Sequence, residues 1–231
     1  MADGGTITQR ITDLIGSIHS TEAVYSGDLI NAAMNEVADM VPNALLMKYS
    51  SSPTAVTSAS GATIDGKKVL MVIRVDANSS GIERVCMELE RSQFAAAKDT
   101  GSIYEATAFS PVYHIDSMND STSAVHIYPT CNGSGQEGNI WTFAYIADGT
   151  DTTAMTASTL NSTYYIPSEL IHAIALKSSI NILRAYLSNQ VQDEEDIEIM
   201  QMLQVQSQVL EKDFLTEMQR YMAQEEKPTG E

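Results

Sequence analysis

The chain has 231 residues, 43% of them hydrophobic and 19% charged, and this length suits one large domain or two small ones with a buried core. That composition excludes a disordered chain, and no stretch approaches the ~18 consecutive apolar residues that a membrane-spanning helix needs. Thirty Asp and Glu oppose thirteen Lys and Arg, a net charge of −17, which argues against a protein that grips nucleic acid, because phosphate binding needs clustered basic side chains.

The first zone, residues 1–49, predicts helices. Apolar residues recur there at helical spacing in two stripes. Ser26 predicts the N-cap of the second helix, with Asp28 in its first turn, and Pro42 interrupts that helix. The first stripe contains Ile7, Ile11, Leu14, Ile15 and Ile18, and the second contains Leu29, Ala33, Met34, Val37, Met40 and Val41.

The middle zone, residues 50–163, predicts β-structure. Asp65 and Gly66 form a hairpin signal, and the alternation from Val69 to Val75 predicts a strand that is buried on at least one face. Residues 88–98 predict the one helix of this zone, and residues 148–163 predict a long loop or an exposed hairpin. We therefore expect an antiparallel sheet or a small barrel, whose further strands are at residues 82–87, 112–115, 124–128 and 140–146.

The third zone, residues 164–231, predicts two further helices. Pro167 and Glu169 suit the first turn of a helix whose apolar face continues to Leu183. An acidic run then indicates a solvated helix start whose charges complement the helix dipole. The run consists of Asp193, Glu194, Glu195 and Asp196, and the apolar stripe of the last helix consists of Ile199, Leu203, Leu210, Phe214, Met218, Tyr221 and Met222.

The last helix has two interpretations. Phe214, Met218, Tyr221 and Met222 place aromatic and methionine side chains near one face, and such residues are frequent anchors of protein interfaces. They are therefore our candidate docking residues for a partner. The alternative is an ordinary core helix, in which the same stripe packs inside the chain's own fold.

No motif of catalysis or cofactor binding is complete. Residues 133–138 match the G-x-G-x-x-G pattern of dinucleotide sites, but an aromatic strand follows where a helix is required, which favours a hairpin loop. His114 and His126 could face each other across neighbouring strands near Cys86 or Cys131, yet no metal-ligand spacing or G-x-S-x-G nucleophile elbow is present. We predict no catalytic, cofactor-binding or metal-binding residues.

These zones together predict an α+β fold. Residues 1–49 and 164–231 are expected to form a helical body, and residues 50–163 an inserted antiparallel β-sheet or barrel domain. Two cysteines are too few for a disulfide framework, and the first five residues lack the basic and apolar regions of a secretory signal. We therefore expect a reduced, cytosolic setting.

The order of elements carries a family resemblance. Residues 164–171 include Pro167 and Leu170, a helix with Lys177 and Ser178 follows, and then come the acidic turn and the last helix. This layout, together with residues 25–33 and the style of residues 102–107 and 127–129, resembles the head-to-tail adaptor family of tailed bacteriophages, also called connector or tubular tail protein A-like proteins.

The resemblance implies a structural virion protein and no enzyme or cofactor. Copies of such a protein form a ring, usually of twelve, that docks under the portal protein and extends the DNA channel toward the tail nozzle or tube. The ring assembles in the host cytoplasm and stays in the virion, without a membrane. DNA passes without specific binding, and an acidic channel suits this role because it repels phosphates.

Three alternatives remain open. Another phage neck or tail protein, such as a tail terminator or a head-completion protein, belongs to the same class. An enzyme is a different class, but no residue of the sequence can be named for its site. A carbohydrate-binding or host-binding module is suggested only by the exposed aromatics expected in the β-rich zone.

Overall fold

The computed structural model describes residues 5–16, 23–50, 52–76, 81–119, 122–133, 135–147, 149–190 and 197–222. The predicted α+β class is confirmed, and the chain divides into two compact units. The helical unit comprises Met1–Tyr49 and Ile146–Glu231, and the β unit comprises Ser50–Tyr145. The first boundary coincides with the predicted one, whereas the second falls after Tyr145 and not after residue 163.

The described residues contain seven α-helices, six of them in the helical unit. Helix α6 packs against α1, α2 and α7, because its apolar residues surround most of its circumference, and Ile171, Ile174 and Ile180 are fully buried. The helices are α1 (Ile7–Ile15), α2 (Ala23–Met40), α3 (Asn43–Met47), α4 (Arg91–Ala97, in the β unit), α5 (Ala157–Tyr164), α6 (Ile171–Gln190, after a 3-10 turn at Ser168–Leu170) and α7 (Ile197–Met222).

Two expectations about these helices are wrong. Helix α2 begins at Ala23, so Ser26 lies inside it and does not cap it; serine is tolerated inside helices as well as at their caps. The segment expected to be a long loop or hairpin contains α5, and Thr156 is the N-cap of that helix.

The segment before α5 is held by the N-terminal helices. The backbone N–H of Ile7, one of the first donors of α1, bonds the Met155 carbonyl at 3.0 Å, and the Thr8 hydroxyl donates to the Thr153 carbonyl at 2.6 Å. Because the first N–H groups of a helix have no partner within the helix, these bonds satisfy α1 and fix the segment. This is why the segment belongs to the helical unit.

The β unit consists of two four-stranded sheets. One has the order β1-β8-β3-β4 and the other β2-β7-β6-β5, and all neighbouring strands are antiparallel except β5 and β6. The strands are β1 (Thr54–Val56), β2 (Ala62–Thr63), β3 (Lys67–Asp76), β4 (Ile82–Val85), β5 (Met87–Glu88), β6 (Val112–Asn119), β7 (Thr122–Tyr128) and β8 (Gln136–Ala144).

The chain passes between the two sheets at both edges. Strands β1 and β2 follow each other along the chain but lie in different sheets, and so do β4 and β5, which were predicted as one strand. Cys86 marks the second corner and is buried between the sheets. The shared core consists of Val56, Ile64, Val72, Cys86, Tyr113, Val125, Ile127, Cys131 and Ile140, and α4 covers the outside of β6 through Phe94 and Ala97.

Candidate interaction surface

Three of the four candidate docking side chains are buried in the chain's own helical unit. Phe214, Met218 and Tyr221 lie on the face of α7 that packs inward, and the Phe214 side chain is only 5% exposed. Met222 is exposed. The predicted acidic helix start, Asp193, Glu194, Glu195 and Asp196, lies outside the described residues.

Tyr221 connects the C-terminal part of α7 to the turn before α6 by a hydrogen bond. Its hydroxyl contacts two acceptors, the backbone carbonyl of Glu169 and Oε1 of Glu217, the latter at 2.8 Å. Burial, followed by the Glu217 carboxylate, raises the pKa of Tyr221 above its ordinary value. The tyrosine is therefore held as a neutral donor inside the unit, where a docking side chain would instead be free.

Lys177, one of the residues that carry the family resemblance, joins three helices. Its Nζ lies 2.6 Å from Oε2 of Glu36 on α2 and 5.8 Å from the centre of the Phe214 ring on α7. Leu170 and Ser178 are buried in the same unit. Lys177 and Leu170 therefore contribute to the packing of the helical unit, whereas the buried Ser178 hydroxyl has no hydrogen-bond partner among the described residues.

Helix α7 also has an apolar face that the sequence reading did not predict. Met202, Val205 and Val209 follow each other at the spacing of one helix face, and their exposed fractions are 69%, 60% and 53%. We call these three side chains the α7 ridge. Contiguous exposed apolar side chains, unlike single ones, are a feature of interaction sites.

A groove lies between α6 and α7 on another side of the same helix. Its volume is about 600 Å³, and Leu187, Ser188, Met200, Gln204 and Gln208 contribute to its lining. We call it the α6–α7 groove.

One ion pair lies at the α6–α7 groove. The Arg184 guanidinium and the Glu211 carboxylate both line it and are 2.6 Å apart. Most of the remaining lining is apolar or carries a neutral amide or hydroxyl group, so the groove suits an apolar or amide-bearing surface better than a charged ligand.

Charge is distributed unevenly around these features. The helical unit contains twenty Asp and Glu against seven Lys and Arg, and the β unit ten against six. Residues 199–210 of α7, which bear the ridge, contain no charged residue at all. The least charged part of α7 thus lies in the more acidic unit.

The β unit carries an exposed apolar surface of its own. The loop between α4 and β6 exposes Ile103, Tyr104 and Phe109, and Ile103 is 92% exposed. Met87, also exposed, and Ile103 contribute to a cavity of about 590 Å³. The Arg84 guanidinium lies 4.6 Å from the centre of the Phe109 ring.

The glycine-rich motif begins in a loop and ends in β8 (Gln136–Ala144). The predicted hairpin is wrong, because this loop joins β7 and β8, which lie in different sheets. Gly133 and Gly135 have φ angles of +73° and +80°, which glycine adopts without steric cost, and β8 follows directly. Gly138 lies within β8, where an added Cβ would stand 2.3 Å from Cδ1 of Ile127. The motif therefore permits a turn and close packing between the sheets, and no helix N-terminus is present to bind a pyrophosphate.

His114 and His126 do face each other across β6 and β7. Both cysteines belong to the core between the sheets, whereas His114 alternates with the buried Tyr113 and so lies on the other face. The described part of the chain holds no group of three or more His, Cys, Asp or Glu residues arranged to bind a metal ion.

The geometry supports non-covalent association, through exposed apolar surfaces on both units. Among the described helices, none is long and apolar enough to cross a membrane. Comparison with known proteins adds no assignment: no protein-family model, no curated protein and no solved structure matches the chain.

Proposed function

We propose that the chain is a structural virion protein of a tailed bacteriophage, a ring-forming adaptor that docks under the portal protein and extends the DNA channel toward the tail. The observation that carries this proposal is the division of the chain. Its two ends, Met1–Tyr49 and Ile146–Glu231, form one helical unit, and Ser50–Tyr145 is inserted between them as a β unit. This is the layout that the resemblance to head-to-tail adaptors implies.

The charge distribution supports the same role. With twenty acidic against seven basic residues, the helical unit repels phosphates, so a channel that it lines would let DNA slide without binding it. Tight binding to duplex DNA would require clustered Lys and Arg, and the sequence contains no such cluster.

The exposed apolar side chains support several protein partners. An adaptor has to contact the portal protein, neighbouring copies of itself and the tail nozzle or tube. The α7 ridge on the helical unit and the loop between α4 and β6 on the β unit, which exposes Ile103, give the chain separate apolar surfaces for such contacts. Contiguous apolar surfaces are a feature of interaction sites.

The test uses the full chain and the portal protein of the same virus. We expect the chain alone to be a monomer at low salt, because its copies are strongly and equally charged, and to form a ring when the portal ring is added. Light scattering measures the mass of each mixture, and negative-stain electron microscopy compares portal rings with and without the chain. A portal ring that gains neither mass nor an extra layer of density would overturn the proposal.

A further inference from the structure

The α7 ridge and the α6–α7 groove lie on different sides of the same helix. At 3.6 residues per turn, the ridge is about 130° around the helix axis from the groove-lining residues Met200, Gln204 and Gln208. Helix α7 therefore presents a projecting apolar ridge on one side and lines a groove on another. Neither surface is covered by the described part of the chain.

We propose that the α7 ridge of one copy packs into the α6–α7 groove of the next copy. This inference rests on the proposed function, for which it names the contact between neighbouring subunits. Because the two contacting patches are different, the association is head-to-tail, and its repetition closes into a ring when the rotation between copies permits. A two-fold dimer would instead use one patch twice.

The segments of this sequence outside the described residues contain few large apolar side chains that could cover the ridge. Residues 1–4, 17–22, 191–196 and 223–231, together with the shorter stretches outside the described residues, contain only Met1, Ile18 and Val191 as large apolar residues. No segment contains more than one of them. A ridge of three neighbouring apolar side chains is therefore better matched by a surface of another molecule.

The absence of charge favours a second copy as that molecule. Two copies of a strongly acidic unit repel each other wherever carboxylates meet, and residues 199–210 are the part of α7 in which none are present. Within residues 199–210, the polar residues at i±3 or i±4 from the ridge are the neutral amides Gln201, Gln206 and Gln208, which both donate and accept hydrogen bonds. The charged residues Glu198, Lys212 and Asp213 lie one turn beyond the two ends of the ridge.

Site-specific cross-linking of the full chain tests this contact. Ser188→Cys places a thiol in the groove, and Val205→Cys or Val209→Cys places one on the ridge. The native thiols do not compete, because Cys86 and Cys131 are buried and burial raises the pKa of both; the unmodified chain is the control. Variants are mixed at high concentration in ~0.5 M salt, which screens repulsion beyond a few ångströms, and treated with a short bis-maleimide.

The inference predicts a covalent dimer when a groove variant is mixed with a ridge variant. Adding Val205→Asp to the Val209→Cys chain should reduce that product roughly tenfold or more, because a carboxylate would have to enter an apolar contact. Val85→Asp, at an equally exposed valine of the β unit, should leave it unchanged. Thermal unfolding followed by circular dichroism checks that every variant is folded.

Two results would overturn the inference. One is efficient cross-linking of Val205→Cys to itself, which would indicate a two-fold contact of ridge with ridge. The other is no cross-link between folded groove and ridge variants, either in ~0.5 M salt or on the assembled portal ring. A ring that forms on the portal without this cross-link would leave the proposed function intact and refute only the inference. If copies cross-linked in this way but never bound the portal, the inference would stand and the proposed function would be refuted.

Discussion

Replacing Phe214 with alanine tests whether α7 is anchored inside its own unit. The side chain is 5% exposed, and its ring lies 5.8 Å from Nζ of Lys177, which pairs with Glu36 at 2.6 Å. Truncation of a buried phenylalanine costs about 3–5 kcal/mol, and loss of the ring also removes a cation–π contact of about 0.5–2 kcal/mol from a half-buried ammonium group. We expect the free energy of unfolding to fall by about 3.5–7 kcal/mol in total.

The next residue of the same helix provides a matched control. Leu215 is 60% exposed, so Leu215→Ala is expected to change the free energy of unfolding by less than about 0.5 kcal/mol. Both substitutions introduce alanine into α7, and therefore both bring a favourable change in helix propensity. The difference between the two variants thus isolates the burial of Phe214.

Urea unfolding at pH 7 measures both variants. Circular dichroism at 222 nm follows the helices, and the fluorescence of Trp141, the single tryptophan of the chain and part of β8, follows the β unit. The loss is expected in the helical signal. If Phe214→Ala came within about 1 kcal/mol of Leu215→Ala, the ring would not be a core side chain, and the hypothesis of a docking residue would regain support.

Three further results are expected. Asn31→Leu should cost about 1–3 kcal/mol in urea unfolding, because buried Asn31 donates to the Thr150 carbonyl at 2.8 Å and accepts from the Thr152 hydroxyl at 2.6 Å. Burial raises the pKa of Cys86 to about 12, so the folded state binds the thiol proton more tightly than the unfolded state does. The resulting stabilisation is fully present below the ordinary thiol pKa. It is lost as pH rises from there toward 12, by about 1.4 kcal/mol per pH unit. Urea unfolding between pH 7 and 10.5 should therefore show a shallower loss for Cys86→Ala than for the unmodified chain. Gel-shift assays at ~150 mM salt should show no micromolar binding of duplex DNA, and a shifted band would contradict this.

The spacing of apolar residues predicted the type of those helices and strands that bury one face. The stripes of α1, α6 and α7 and the alternation along β3 give the correct element type, because one apolar face is buried in each. The expected strands at residues 112–115, 124–128 and 140–146 also correspond to β6, β7 and β8. Their ends differ by several residues, since hydrogen bonding to a neighbour, and not composition, decides where a strand stops.

The segments that the sequence did not predict are held by distant partners. Strand β1 has only three residues and pairs with β8, far along the chain. The segment before α5 is fixed by α1 and α2, through the bond of Thr8 with Thr153 and that of Asn31 with Thr150. A short polar segment shows no periodicity of its own, so its structure cannot be inferred before its partner is known.

The candidate site shows a different limit of sequence reasoning. The apolar stripe of α7 was recognised, but its residues were assigned to a possible partner, and the structure places Phe214, Met218 and Tyr221 inside. In residues 199–210 both sides of the helix are apolar, so periodicity alone does not separate the buried Leu203 and Leu210 from the exposed ridge. The signal that was available is the complete absence of charge from those twelve residues.

The net charge and the α7 ridge act over different distances, and this determines when copies can associate. Repulsion between acidic helical units extends over about 10 Å at 0.1 M salt, whereas an apolar contact between ridge and groove acts only when the surfaces touch. On the proposed function, one such contact is too small to overcome the repulsion by itself. A template that holds neighbouring copies together makes each further contact intramolecular and raises its effective concentration. A ring of weak, identical contacts would then form on the portal and not in free solution, so the acidity that lets DNA pass also restricts assembly to the place where the ring is needed.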